Sequence, residues 1–328
     1  MKAAWFERFG PASETLVIGE QPKPEAGPGD VLVRINTSGV NPSDVKKRAG
    51  AFPALLNDGL VIPHSDGAGI IEAVGAGVDP GRVGERVFIY QAQYGRRFGT
   101  AADYVAIEAC RAPWLPDAAS FVVGACIGIP IMTAHRCVHA DGPVAGQTIL
   151  VTGGAGRVGH YAIQWARMAG ARVIATASNP EDKALCRDAG AEQVVNHREP
   201  RWGSEVLKCN GGARVDRVID VEFGANLPEV LQCIRVGGTI ATYSSTRVAE
   251  PKLPFRDMMF MDLTVRMVIV YAMPEEAKQA AIRDTTDALE SGRLTHRVAH
   301  ELPFEEVVRA HELIEQGGFG GCVVVRVS

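Results

Sequence analysis

The amino-acid sequence predicts an α/β protein with two architectures in one chain, a mostly antiparallel β region followed by a doubly wound parallel sheet. Three observations carry that prediction. Before residue 120, short alternating runs such as Val31-Leu32-Val33-Arg34-Ile35 are punctuated by Pro28-Gly29, Asn41-Pro42 and Pro80-Gly81, the rhythm of a compact β domain with long loops. After it, β-branched apolar runs recur at Thr148–Thr152, Arg172–Thr176, Gln193–Val195, Val215–Val221, Thr239–Tyr243 and Thr264–Tyr271, most of them separated by helix-like segments. That alternation implies strands buried on both faces under helices. The tail differs again. Glu275–Ser291 and Phe304–Gln316 have the pattern of amphipathic helices and Cys322–Val327 that of a strand, too little to form a domain alone, so the tail must pack on something already built.

Length and composition narrow the function classes. At 328 residues the chain holds about two domains, and its 46% hydrophobic and 22% charged content suits folded rather than disordered structure. A balance of 34 basic against 38 acidic residues leaves −4, without the basic excess of a nucleic-acid footprint, so nucleic acid is not expected as a main partner. The seven cysteines stand singly with no Cys-x-x-Cys, which argues against a zinc ribbon or redox dithiol and fits a reducing compartment. The first residues lack the long apolar core of a secretory signal. The longest apolar stretch, Phe121–Ala134, contains Pro130 and falls short of the roughly 20 residues of a membrane span. A cytoplasmic protein is expected, with no membrane partner.

The strongest local signal is a glycine turn. In Ile149-Leu150-Val151-Thr152-Gly153-Gly154-Ala155-Gly156-Arg157-Val158-Gly159, the glycines Gly154, Gly156 and Gly159 follow an apolar strand and open a helix. That context suits a dinucleotide's pyrophosphate: one glycine for the tight turn, one for close approach, one for helix-to-strand packing, with free N–H groups at the helix start. Ala155, Arg157 and Val158 belong to the same cradle. Arg157 either faces phosphate or simply begins the helix. About 20 residues on, where an acid would hold an adenosine ribose, the chain reads Thr176-Ala177-Ser178-Asn179. Glu181 and Asp182 follow Pro180 and look like first-turn helix residues. Ser178, Lys183 and His197 with Arg198 can instead receive an extra phosphate, so NADPH is favoured over NADH.

The whole chain resembles the medium-chain dehydrogenase/reductase superfamily, and within it the zinc-free quinone reductase branch that includes zeta-crystallin. The resemblance rests on Gly39-Val40-Asn41-Pro42, Ser65-Asp66-Gly67-Ala68-Gly69, Glu72-Ala73-Val74-Gly75, Val83-Gly84-Glu85-Arg86-Val87, Ile127-Gly128-Ile129-Pro130 with Thr133-Ala134, the glycine turn, Val195-Asn196-His197-Arg198-Glu199 and Ala310-His311-Glu312. It implies a GroES-like catalytic domain over residues 1–120, a Rossmann NADP-binding domain over 121–265, and a segment 266–328 that returns to the catalytic domain. Alcohol dehydrogenases of the superfamily place zinc ligands where this chain has Asn41 and Ser65 and near Ile129, residue types that cannot rebuild such a site. His64 stands next to one of these positions as a tempting substitute. No catalytic zinc is expected, and no structural zinc, because Cys110 is the single cysteine between Gln91 and Ala112.

Without a Lewis acid, reduction of a conjugated acceptor, a quinone or an enone, is the easier chemistry. The resemblance places Asn41 and Asp66 at the reacting end. Lys46 stands where related reductases often have tyrosine and is either a cationic donor or part of the solvated cluster Lys46-Lys47-Arg48. Asp66 has either an acid's role or a structural one. Tyr90 and Tyr94 can wall an aromatic substrate or anchor loops. Thr133 matches a threonine near the nicotinamide. Gly224, Tyr243, Ser244, Val268 and Val270 lie in loops after later strands, where a dinucleotide is held in open α/β sheets. A homodimer through the edge of the Rossmann sheet near residues 246–266 is expected. A 2-alkenal or enone double-bond reductase is the alternative, and a nucleotide-binding structural or RNA-binding protein the alternative of another class.

Overall fold

The computed structural model describes residues 1–327. The chain opens with a hairpin, β1 (Lys2–Trp5) antiparallel to β2 (Val17–Glu20). The centre of the next sheet is β3 (Asp30–Val40), whose Val31, Val33 and Ile35 are fully buried. It pairs antiparallel with β4 (Asp66–Val74), which pairs in turn with β5 (Arg86–Ile89), and over its first half with β6 (Tyr104–Glu108). The apolar stretch from residue 121 divides into two helices, Phe121–Gly124 and Ile129–His139. Pro130 sits in the first turn of the second, where its missing N–H has no helical partner to lose.

The six following strands form one parallel sheet. They are β7 (Thr148–Val151), β8 (Arg172–Thr176), β9 (Gln193–Val195), β10 (Val215–Asp220), β11 (Ile234–Thr242) and β12 (Thr264–Met267), in the order β12-β11-β10-β7-β8-β9. The chain runs outward from β7 to β9, then from β10 to β12 on the other side. The switch point therefore lies between β7 and β10, where open α/β sheets hold ligands. Leu150, Ile174, Val218 and Ile240 from four neighbouring strands share a core with Phe223, Leu227 and Val230 of the helix Phe223–Cys233. Strand β11 begins five residues earlier than Thr239, the start the apolar run suggests, because Arg235-Val236-Gly237-Gly238 continues the strand despite its glycines.

After the helix Glu275–Glu290 come β13 (Val298–Pro303), the helix Val307–Gln316 and β14 (Cys322–Arg326). Strand β14 enters the first sheet between β13, to which it is parallel, and β3, to which it is antiparallel. By contacts the chain forms two units, residues 130–281, and residues 1–129 together with the chain from Ile282 onward. These borders fall at 129/130 and 281/282, whereas the resemblance implies bounds after 120 and 265. The differences are the helix Phe121–Gly124, which packs on β3, β4 and β5, and residues 266–281, which complete the parallel unit.

Candidate active site

In the parallel unit the glycine turn joins β7 to the helix Arg157–Met168. Gly153, rather than Gly154, takes the left-handed conformation, with φ at 61°. A Cβ on Gly159 would stand 2.3 Å from the Gly153 carbonyl oxygen, so this helix can start so close to its strand only with glycine there. The turn is latched from both sides. Gly153 N–H donates to Thr176 Oγ1 at 3.0 Å and Gly154 N–H to the Thr176 carbonyl at 3.0 Å. The Thr152 hydroxyl donates to Asp220 Oδ1 at 2.6 Å while accepting from Val221 N–H at 3.0 Å. Gly156 is the N-cap and no side chain caps the helix; a helix start of this kind is where a dinucleotide fold can hold an anion. Gly154, Ala155, Gly156, Arg157, Val158 and Gly159 thus sit together at the switch point. The Thr152–Asp220 latch is a part sequence reasoning missed.

At the end of β8 no acid occupies the ribose position. Asn179 caps the helix Pro180–Asp188, accepting from Asp182 N–H at 2.7 Å and donating to the Asp182 carboxylate at 2.8 Å. Asp182 is therefore engaged in the cap. Ser178 and Lys183 are half-buried beside it. His197, just after β9, is half-buried, with its Nδ1 enclosed and unpartnered. Burial, then the charges of Arg198 and Arg247, hold its pKa below the usual histidine value. Two guanidinium groups near one imidazole make this end of the crevice cationic. Arg247 was not singled out from the sequence, because it lies about 50 residues beyond His197.

The loop after β11 closes onto the start of the helix Phe223–Cys233. Phe223 N–H donates to the Ser244 carbonyl at 3.0 Å, Gly224 N–H to Ser245 Oγ at 2.9 Å, and the Glu222 carboxylate accepts from the backbones of Thr246 and Arg247. A Cβ on Gly224 would meet the Val248 carbonyl oxygen at 2.5 Å. Gly224 is thus required for loop packing and its N–H is already used. Tyr243 and Ser244 are half-buried at the C-terminal end of β11, Val268 and Val270 are buried beyond β12, and Thr133 is buried on Ile129–His139.

The other unit contains a buried polar cluster where β3 ends and β4 begins. Asn41 caps the helix Pro42–Arg48, with Asp44 accepting its backbone N–H at 2.9 Å. Its side-chain Nδ2 donates to Asp66 Oδ2 at 2.8 Å, and Ile129 N–H reaches the same oxygen at 2.8 Å. Asp66 Oδ1 is buried with no partner and lies where a Cβ on Gly128 would approach to 2.1 Å. Burial first, then the charge of Asp44, pushes Asp66 up to about 8 against the hydrogen bonds it accepts. Burial therefore favours the protonated form of the Asp66 carboxyl. Asn41 and Asp66 meet; Lys46 does not join them. It is exposed, and Lys47 turns inward instead, donating to Ser65 Oγ at 3.2 Å and the Gln93 carbonyl at 2.5 Å. Tyr90 is buried with its hydroxyl on the Cys110 carbonyl at 3.1 Å, an anchor, whereas Tyr94 is exposed.

His64 belongs to a one-way hydrogen-bond chain. Arg48 Nε–H can only donate, so His311 Nδ1 accepts it at 3.4 Å and carries its proton on Nε2, facing His64 Nε2 at 2.9 Å. His64 then donates from Nδ1 to Ser38 Oγ at 2.8 Å, Ser38 to Thr100 Oγ1 at 2.8 Å, and Thr100 to the Asp66 backbone carbonyl at 2.6 Å. Burial pushes His64 down to about 3 and His311 well below its usual value. Both imidazoles are neutral and neither ring nitrogen of His64 is available to a metal. With the Asn41 amide on Asp66, the Ser65 hydroxyl 3.3 Å from Asp44 Oδ1, and an aliphatic Ile129, these residues do not fit a zinc ion. Among the described residues no group of three metal-ligating side chains converges.

Comparison with known proteins gives this arrangement its class. A family model described as alcohol dehydrogenase GroES-like domain matches residues 27–117, and one described as zinc-binding dehydrogenase matches residues 158–286. The quinone oxidoreductase of Pongo abelii is 32% identical over 292 residues, covering 87% of this chain and 85% of its own. The 2-haloacrylate reductase of a Burkholderia species is 28% identical over 321 residues, covering 95% and 94%. Among solved structures, a mycobacterial protein complexed with NADPH has 28% identity and a TM-score of 0.88, covering 99% of this chain and 100% of its own. A structure described as an NAD-dependent alcohol dehydrogenase has 28% identity and a TM-score of 0.89, with full coverage of both chains. The chain belongs to the medium-chain dehydrogenase/reductase superfamily, in its quinone oxidoreductase branch.

Proposed function

We propose that this protein is an NADPH-dependent, zinc-independent reductase of quinones or other conjugated carbonyl acceptors. The observation that carries the proposal is the Asn41–Asp66 pair, a neutral hydrogen-bonding site at the position where a zinc-dependent relative needs ligands. Bound NADPH would supply a hydride, and a conjugated acceptor spreads the resulting negative charge over its own π system. The first-turn N–H groups at Gly156 hold the pyrophosphate, and Lys183, His197, Arg198 and Arg247 receive an additional phosphate. Asn41 has a second amide N–H beyond the one given to Asp66, and offers it to the acceptor oxygen. Asp66 acts through Asn41, fixing which way that amide points. Lys46 contributes a cation at the exposed face of the same helix.

The likeness to a quinone oxidoreductase and to a protein solved with NADPH supports this reading. The likeness to a 2-haloacrylate reductase favours a second one, in which the reduced bond is a conjugated C=C. Initial rates with NADPH and with NADH, on a small quinone, a 2-alkenal and ethanol, with and without chelator, test both. Turnover of either conjugated acceptor, insensitive to chelation and faster with NADPH, is expected. Brisk ethanol oxidation or loss of activity on chelation would overturn it, and NADPH binding with no turnover of any acceptor would favour a nucleotide-binding structural role. We further propose a homodimer through the β12 edge and a cytoplasmic setting. Exposed apolar side chains near that edge support the first, and seven unbridged cysteines support the second. No helix among the described residues is long and apolar enough to cross a membrane.

A further inference from the structure

Three ionisable side chains, Asp44, Lys47 and Asp66, are buried in one hydrogen-bonded network around the start of the helix Pro42–Arg48. An ammonium group and two carboxyls taken from water each carry a large desolvation cost, so their charges must balance. Asp44 accepts from Asn41 N–H with one oxygen and from the Ser65 hydroxyl with the other, and Lys47 donates to that same hydroxyl. Asp66 accepts from the Asn41 amide and from Ile129 N–H, neither of which carries charge. One cation therefore serves two acids, and it is coupled through Ser65 to Asp44. The other charged or titratable groups of neighbouring elements are already engaged. Arg48 is bound to Glu315 and the Gly10 carbonyl, and His64 and His311 are committed to each other.

We propose that Lys47 is a positioning residue for acceptor reduction: its buried ammonium keeps the negative charge of the cluster on Asp44, so that Asp66 stays the neutral carboxyl that orients the Asn41 amide. The ionised Asp44 in turn holds the Asn41 backbone at the helix start. Direction agrees on both acids. Burial pushes Asp44 up to about 6 with Lys47 the leading opposing influence, whereas on Asp66 the Asp44 charge outweighs Lys47. Burial holds Lys47 itself below its usual value, and the Asp44 charge is the leading influence opposing that.

The inference rests on the reductase reading, and the test separates the two. In the wild type, kcat/KM for a conjugated acceptor should show an acid limb near pH 6 as Asp44 gains a proton. Lys47→Met should move that limb upward. A move of about 1.5 units lowers kcat/KM about eightfold at pH 6.5 but less than about twofold at pH 8.5. Lys47→Arg should keep the limb in place. A uniform loss at all pH values in Lys47→Met would overturn the inference, whereas a wild type that turns over no conjugated acceptor would overturn the reductase reading. Carboxyl carbon NMR titration of the wild type, which needs neither a folded variant nor turnover, should show Asp44 ionising at lower pH than Asp66. The reverse order would overturn the inference.

Discussion

In the proposed reaction Asn41 works through the direction of one amide group. Its Nδ2 is bound to a carboxyl whose other oxygen is enclosed beneath Gly128, so the amide cannot flip without breaking a buried contact. Replacing Asn41 with Ala removes the donor and leaves the Asp66 carboxyl short of a partner. We expect kcat for a quinone to fall about 100-fold with NADPH affinity unchanged, and stability to fall by about 1–3 kcal/mol, checked by steady-state rates, cofactor fluorescence titration and urea unfolding. At this scale the sequence singled out Asn41 and Asp66, which the structure joins by a hydrogen bond, because both stand in distinctive motifs. It singled out Lys46 and left Lys47 and Arg48 in a solvated cluster, whereas both of these are buried. Successive helix residues point about 100° apart, and a seven-residue helix gives too little periodicity to say which lysine faces inward. Asp44, three residues before Lys47 and on its face of the helix, was the available clue.

The elements are tied together by polar links that no local pattern reveals. His64 and His311 are 247 residues apart, and their chain joins the helices Pro42–Arg48 and Val307–Gln316 to strands β3 and β4. Their burial as neutral rings makes the fold acid-sensitive. The unfolded imidazoles titrate near about 6.5. Below that pH, down to the depressed native values, the unfolded chain binds protons that the folded one does not. The stability this pair contributes is thus complete above about pH 6.5 and is lost as pH falls, by about 1.4 kcal/mol per pH unit for each ring. His64→Asn tolerates the left-handed backbone there, at φ 75°, and removes one titrating group. Asp44 and Asp66, raised by burial, bind protons in the folded chain over the same range and offset part of this loss, so the readout is the difference between the two proteins. From pH 6.5 to 5 the variant should gain on the wild type by up to about 1.4 kcal/mol per pH unit in urea unfolding; a constant gap would contradict this assignment. By contrast, strands β7, β8 and β10 were legible almost to the residue, because strands buried on both faces are continuous apolar runs.

At the scale of the molecule, the parallel sheet ends in an uncovered strand. Met267 and Ile269 at β12, with Phe255 and Phe260 on the preceding helix Phe255–Phe260, are 55–74% exposed, a cluster of apolar side chains of the kind that marks an association surface. If it joins two copies, Met267→Lys with Phe260→Lys should convert the protein from dimer to monomer in light scattering, while the far-ultraviolet circular dichroism stays unchanged. The antiparallel unit is harder to read from sequence. Its sheet is completed by residues from a distant part of the chain, a pairing that pattern alone could not reveal.

That arrangement also dictates an order of events during synthesis. Strand β14 follows all six strands of the parallel sheet in the chain and fills the gap between β13 and β3. During synthesis the parallel sheet therefore has all of its strands before β14 is made, and β3 waits until then with one edge partly unpaired. Nascent chains carry the antiparallel sheet incomplete while its parallel neighbour can already close, which makes that sheet the natural client of any chaperone stationed at the tunnel exit.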